Sequence, residues 1–258
     1  MSSLGPLLPE ACRLLRYESI GSTNDEAKTL ARAGAAEFTL VWAGEQTEGR
    51  GRRGRLWRSP PGNFYASLIL RPAVAPARAA QLGFVAALAL ADGIGALCGP
   101  ALDIRCKWPN DILAAGRKLA GILLESEITD NDMIDFVVIG TGANLVSHPG
   151  KAEYPATSLA AQGFPGIAPE QLLSTYVRRF DFWARLWRAK GFPPIREAWL
   201  ARSFGRGEEV RVRLERVTLF GRFLDLDESG SLVIDTGEGR RRIAAGEVFP
   251  ASGSPAFD

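Results

Sequence analysis

Gly49-Arg50-Gly51-Arg52-Arg53-Gly54-Arg55 sets four guanidinium groups among three glycines, with Arg58 close behind. A guanidinium is a planar fork of donors that matches carboxylate and phosphate oxygens two at a time. Glycine lets the backbone approach a ligand and add its own amide donors. The pattern suits an anionic ligand; composition alone leaves a solvated basic loop equally open. Like charges this dense repel, so the loop is expected to be mobile when empty and ordered by an anion. Two familiar phosphate motifs fail on context. The glycines fit G-x-G-x-x-G, but Leu56 and Trp57 lead into Pro60-Pro61 and open no helix to receive a pyrophosphate. Gly49 and Gly54 have P-loop spacing, yet Arg55-Leu56 stand where Lys and Ser/Thr are required.

The rest of the composition narrows the chemistry. With a single histidine, His148, a His-rich metal site is excluded and a Ser-His-Asp or Cys-His apparatus is disfavoured. Cys12, Cys98 and Cys106 show no CxxC spacing and read as reduced thiols of a cytoplasmic protein. The net charge of +2 sets no global field toward nucleic acid or membrane. Met1 to Cys12 has neither the basic start nor the apolar run of a secretory signal. The longest apolar stretch, Leu82 to Ala91, is too short to span a bilayer and reads as a buried helix.

At 258 residues the chain has room for one large domain or a main domain plus a small one. Leu14 to Ile20 reads as a strand. A helix follows from a capping box at Thr23-Asn24-Asp25-Glu26 through Leu30 and Ala31. Phe38 to Ala43 is a buried strand, Gly44 to Gly62 a long loop of the length usually reserved for function. Asn63 to Leu70 returns to strand and Ala77 to Leu97 is an Ala-rich helix. Strands are expected at Leu102 to Trp108, Ile112 to Ala115, Leu119 to Glu125 and Met133 to Ile139, with Gly116-Arg117 as a hairpin turn. Pro169 to Lys190 is amphipathic and helical, and a short helix follows Pro194. From Gly205 onward, Glu209 to Leu214, Thr218 to Leu224, Ser231 to Ile234 and Arg241 to Ala245 read as short strands of a small barrel. The boundaries drawn are 1–204 for a main domain and 205–258 for the barrel.

Several segments together resemble the bacterial biotin–protein ligases. In chain order they are Gly21-Ser22-Thr23-Asn24, Glu45-Gln46-Thr47, Gly49 through Trp57, Ser59-Pro60-Pro61-Gly62-Asn63, Lys107-Trp108-Pro109-Asn110-Asp111, Gly116-Arg117-Lys118-Leu119-Ala120-Gly121-Ile122-Leu123, and Gly140-Thr141-Gly142-Ala143-Asn144. Each is weak alone; their order and spacing are specific. The match runs from about Gly21 to Asn144 and only loosely into the barrel, where Phe220-Gly221-Arg222-Phe223-Leu224-Asp225 keeps part of the family's glycine pattern. Glu48 also departs from the small neutral residue usual there. The resemblance implies an α+β fold: a mixed β-sheet flanked by helices, like class II aminoacyl-tRNA synthetases, with a C-terminal SH3-like β-barrel.

It also implies a two-step reaction. The biotin carboxylate attacks the α-phosphorus of ATP to give biotinyl-AMP and pyrophosphate, and a lysine amine of a biotin carboxyl carrier protein then displaces AMP. By the same resemblance Ser22, Thr23, Asn24 and Gln46 meet the biotin head, with Gly49, Arg50, Arg52, Trp57, Lys118 and Gly121 completing its pocket. Arg52, Arg53, Arg55, Lys107, Asn110, Asp111 and Asn144 meet ATP, and Asp111 with Asn144 holds Mg²⁺. Arg52, Lys107, Lys118 and Asp111 are the catalytic set, Asp111 also being a candidate base for the incoming lysine. Taken singly, Ser22 and Thr23 read as helix caps, Trp57 as core, Lys118 as surface charge and Pro109-Asn110-Asp111 as a turn.

Only 20 residues precede Gly21, so no DNA-binding domain and no DNA partner are expected, nor a membrane partner; a homodimer through an exposed sheet edge is left open. A lipoate–protein ligase and a non-catalytic nucleic-acid binder are the rival readings.

Overall fold

The computed structural model describes residues 8–129 and 131–251. Its main sheet contains β1 (Arg13–Ile20), β2 (Thr39–Gln46), β3 (Phe64–Leu70), β4 (Ile104–Lys107), β5 (Asp111–Ala114), β6 (Arg117–Ile128) and β7 (Ile134–Ala143). Their order is β1-β2-β3-β7-β6-β5-β4. β1 and β2 run parallel, which requires a crossover, and α1 (Thr23–Arg32) provides it. The other neighbours pair antiparallel.

Alternation along the central strands feeds two apolar layers. Val41, Ile69, Phe136 and Val138 face α1 through Ala27 and Ala31. Leu40, Trp42, Leu68, Val137 and Ile139 enter the larger core with α3 (Leu82–Cys98) and α4 (Pro169–Lys190). Burial on both faces is why β2 and β3 read as continuous apolar runs.

The expected helix Ala77 to Leu97 is two helices, α2 (Pro76–Ala79) and α3. At the break, the buried Gln81 donates through Nε2 to the Glu228 carbonyl at 3.1 Å and accepts from Trp187 Nε1 at 2.8 Å. The apolar stretch also proves longer than Leu82 to Ala91. The segment Pro76–Ala101, across that break, is long and apolar enough to cross a membrane, but 67% of its most apolar window is buried inside the protein, as in a core segment. α5 (Pro193–Ala201) leads out of the main domain.

The second sheet holds β8 (Glu209–Arg213), β9 (Thr218–Leu226), β10 (Leu232–Asp235), β11 (Arg240–Ile243) and β12 (Glu247–Pro250), in the order β11-β10-β9-β8-β12. Sequence suggested the first four; β12, four residues ending in proline, carries almost no strand signal of its own. This small sheet docks on the main domain: Val210, Val212, Phe223 and Leu232 join the larger core. Trp108 Nε1 donates to the Gly230 carbonyl at 3.0 Å and Arg196 Nε to the Leu226 carbonyl at 2.6 Å. Docking supplies the burial that some 50 residues alone lack.

Candidate active site

A cavity of about 360 Å³ opens between the main sheet, the arginine loop and the small domain. It gathers segments far apart in sequence: Ser22, Thr23 and Asn24 at the head of α1; Gln46 at the end of β2; Arg50, Arg52, Arg55 and Trp57 from the loop. Lys107, Asn110, Asp111, Lys118 and Gly121 come from the β4–β5–β6 hairpins, and Asn144 from the end of β7. Of the residues expected at the site, Gly49 and Arg53 do not line it. Gly49 serves the turn instead, because a Cβ there would lie 2.5 Å from the Trp57 carbonyl and Ser59 Oγ. Arg53 is exposed, with φ 57°.

At the floor, Asp111 lies between two ammonium groups, Lys107 Nζ at 3.0 Å and Lys118 Nζ at 2.6 Å. Burial by itself pushes the Asp111 carboxyl up, but the charges and hydrogen bonds of Lys107 and Lys118 together outweigh it and hold it at about 2. So acidic a carboxyl is a weak base, which argues against Asp111 deprotonating an incoming lysine. Lys107 is nearly fully buried and sits 4.8 Å from the Tyr154 ring centroid, while Lys118 is more exposed and sits 5.5 Å from that of Trp57. The turn that delivers Lys118 falls on Ala115 and Gly116, both at positive φ, one residue earlier than Gly116-Arg117.

The head of α1 is capped by Ser22, one residue before the expected position; its Oγ accepts from the Asp25 amide. Capping and site geometry coexist, since Ser22 Oγ also accepts from Arg50 Nη1 at 3.2 Å. Gln46 Oε1 accepts from the Thr23 amide and faces Thr23 Oγ1, each at 2.9 Å, and Gln46 Nε2 donates to Ser59 Oγ at 2.9 Å. Gln46 therefore belongs to a strand end and not to the long loop.

The loop is also less free than its charge suggests, because carboxylates separate its guanidiniums. Arg50 Nη2 donates to Asp25 Oδ1 at 2.8 Å and to Glu125 Oε2 at 2.9 Å. The Arg50 hydrogen bond, aided by Lys28, holds the Asp25 carboxyl at about 2. Arg55 Nη1 pairs with Glu247 Oε1 of β12 at 2.6 Å. Arg52 Nη1 reaches Asn110 Oδ1 at 3.3 Å and the Gly246 carbonyl at 3.4 Å.

A model of the biotin/lipoate A/B protein ligase family matches residues 17–144, and one of the biotin protein ligase C-terminal domain matches 206–249. A biotin–[acetyl-CoA-carboxylase] ligase of Paracoccus denitrificans is 45% identical, covering 88% of this chain and 96% of that protein. The chain belongs to the biotin/lipoate A/B protein ligase family. A Mycobacterium tuberculosis biotin–[acetyl-CoA-carboxylase] ligase is 34% identical, over 88% of this chain and 85% of the relative. Among solved structures, the Aquifex aeolicus biotin protein ligase in complex with biotin and ATP superposes with a TM-score of 0.77 at 26% identity, over 92% of this chain and 97% of that one.

Family motifs did not reveal the whole lining. Glu153, Tyr154 and Ala156 come from the connection after β7, and Glu247 and Phe249 from β12. Nothing in their local pattern marks them; only folding brings them to the cavity. Gly142 had a signal, as part of Gly140-Thr141-Gly142-Ala143-Asn144, but no role. A Cβ there would lie 2.6 Å from Trp57 Nε1, so glycine makes the seat for that ring.

The donor set does not fit a resident divalent ion at Asp111 and Asn144. Both Asp111 oxygens already face ammonium groups, which leaves the Asn144 amide oxygen, whose nitrogen donates to the Thr157 carbonyl at 3.0 Å, as the single side-chain oxygen of that pair open to a cation. Among the described residues no group of three or more His, Cys, Asp or Glu could hold a metal.

Proposed function

We propose that this member of the family activates biotin with ATP to biotinyl-AMP and then transfers biotin to a lysine of a biotin carboxyl carrier protein. The observation that carries the reading is the pair of ammonium groups on Asp111 beneath an arginine flap, in a cavity whose lining includes no cysteine or histidine. Such a site suits a reaction whose nucleophile is the substrate's own carboxylate: the protein positions two anions and offsets their repulsion. Ser22, Thr23, Asn24 and Gln46 hold the ureido ring, and Trp57 walls the apolar tail over Gly121 and Gly142. Lys118 meets the biotin carboxyl oxygen; Lys107, Arg52 and Arg55 face phosphate, with Asn110 and Asn144 beside the nucleotide. Arg50 tethers the flap to Asp25 and Glu125. Arg53 is left to the flap's outer surface. Mg²⁺ enters with the ATP phosphates and is not held between Asp111 and Asn144.

The named relatives being biotin ligases favours biotin over lipoate as the acid. Inward pairing of Arg50 and Arg55 with carboxylates counts against a nucleic-acid surface. We place the catalytic unit within residues 1–204, the small domain at 205–258, and the protein in the cytoplasm.

The test is incubation of the full chain with biotin, ATP, Mg²⁺ and a biotin carboxyl carrier domain, followed by mass measurement of the carrier. The carrier gains one biotin; parallel ATP–pyrophosphate exchange responds to biotin and not to lipoate. No biotin-stimulated exchange overturns the proposal.

A further inference from the structure

Behind the head pocket, outside its lining, the Ser67 hydroxyl of β3 is fully buried. It lies 2.8 Å from Thr23 Oγ1 and 2.6 Å from Asn24 Oδ1. Asn24 must turn its oxygen toward Ser67, because its nitrogen donates to Glu125 Oε2 at 2.7 Å. Gln46 must turn its oxygen toward Thr23, because it accepts the Thr23 amide.

The result is a row of short contacts, Gln46 Oε1 to Thr23 Oγ1 to Ser67 Oγ to Asn24 Oδ1. Both ends are amide oxygens, which only accept, and the two hydroxyls between them supply one proton each. Three contacts share two protons, so one contact always lacks a hydrogen. The row has alternative proton arrangements, and a ligand that engages Thr23 or Gln46 selects among them. The far end is not idle. Asn24 reaches Glu125, and Glu125 receives Arg50 of the flap at 2.9 Å.

We propose that Ser67 is a positioning residue that couples occupancy of the head pocket to closure of the arginine flap, through the path Thr23–Ser67–Asn24–Glu125–Arg50. This rests on the reading that Thr23, Asn24 and Gln46 hold the ring of biotin. Loss of the hydroxyl leaves the buried Asn24 amide oxygen without its donor and cuts the path at its middle.

The experiment compares the full chain with Ser67→Ala and Ser67→Cys, measuring biotin KM, kcat and trypsin cleavage at the flap arginines with and without biotin. Ser67→Ala is expected to raise biotin KM about tenfold with kcat within about twofold, and biotin at saturation no longer slows cleavage. Ser67→Cys keeps the volume and a weak donor and falls between the two. A Ser67→Ala protein with unchanged biotin KM, or with flap protection intact at saturation, overturns the proposal. A merely structural role lowers thermal stability without this split. If Ser67→Ala does not fold, Glu125→Gln probes the path from its other end: coupling is reciprocal, so biotin KM must rise, and an unchanged value overturns the idea. Wild-type chain without biotin-stimulated ATP–pyrophosphate exchange sinks the parent reading as well; the other failures sink only the role of Ser67.

Discussion

Lys118 Nζ sits 2.6 Å from Asp111 Oδ1, and the two side chains differ in exposure, 28% for Lys118 against 9% for Asp111. The carboxylate is fixed in the floor while the ammonium reaches into the cavity. On the proposed function, Asp111 parks a cation where a substrate oxygen arrives, and Lys107 on its other oxygen keeps the carboxylate neutralised when Lys118 turns toward a ligand. Asp111→Asn leaves the buried Lys107 without its counter-ion, the kind of broken pair that costs about 3–5 kcal/mol. Urea unfolding is expected to show that loss, and ATP–pyrophosphate exchange to fall at least tenfold. Wild-type exchange and transfer in this variant would remove Asp111 from the mechanism.

The same pair dictates an acid response. The Asp111 carboxyl is held at about 2 against an ordinary 3.8, so its contribution to stability is complete above the ordinary value. It is lost as pH falls from about 4 toward 2, because the unfolded chain takes up the proton first. Asp25, at about 2 through Arg50, acts in the same direction, though its greater exposure makes its share smaller. Chemical denaturation between pH 5 and 2.5 should show a steeper loss for wild type than for Asp111→Asn. Parallel slopes would mean that the pair does not persist in solution.

Arg52 ties the flap to Asn110 and to the Gly246 carbonyl across the cavity. On the proposed function, Arg52→Gly therefore unfastens the lid over a labile mixed anhydride. The expected outcome is severalfold more free biotinyl-AMP in solution and biotin on lysines of unrelated added protein. Adenylate release no greater than wild type would show that shielding lies elsewhere.

Gly142→Ala places a methyl group 2.6 Å from Trp57 Nε1, and an indole ring cannot fold away like a flexible chain. Displacing it is expected to cost about 1–3 kcal/mol and to raise biotin KM, with a shift in tryptophan emission as the ring moves. An unchanged KM would place the apolar tail away from Trp57.

Much of the fold was readable locally because local physics governed it. Val41 and Ile69 announce strands buried on both faces, and the Thr23-Asn24-Asp25-Glu26 pattern marks the start of α1 to within one residue of its Ser22 cap. The break at Gln81 was not readable, because it is set by partners on Glu228 and Trp187, far along the chain. β12 was missed for a like reason: Glu247–Pro250 becomes a strand only by pairing with β8.

By itself the sequence supplied the short motifs that the cavity gathers, the flap arginines, Lys107, Asp111, Lys118 and the Ser22-Thr23-Asn24 turn; their roles came from the order and spacing that resemble a family, because singly each reads as a cap, a turn or a surface charge. Only tertiary structure decided how those charges are spent. Arg50 is committed to Asp25 and Glu125, Arg55 to Glu247, and Arg53 to none of the cavity, while Asp111 holds two ammoniums. A charge's role depends on which opposite charge lies within a few ångströms and how much water is excluded between them, and separations of up to about 200 residues along the chain hide both.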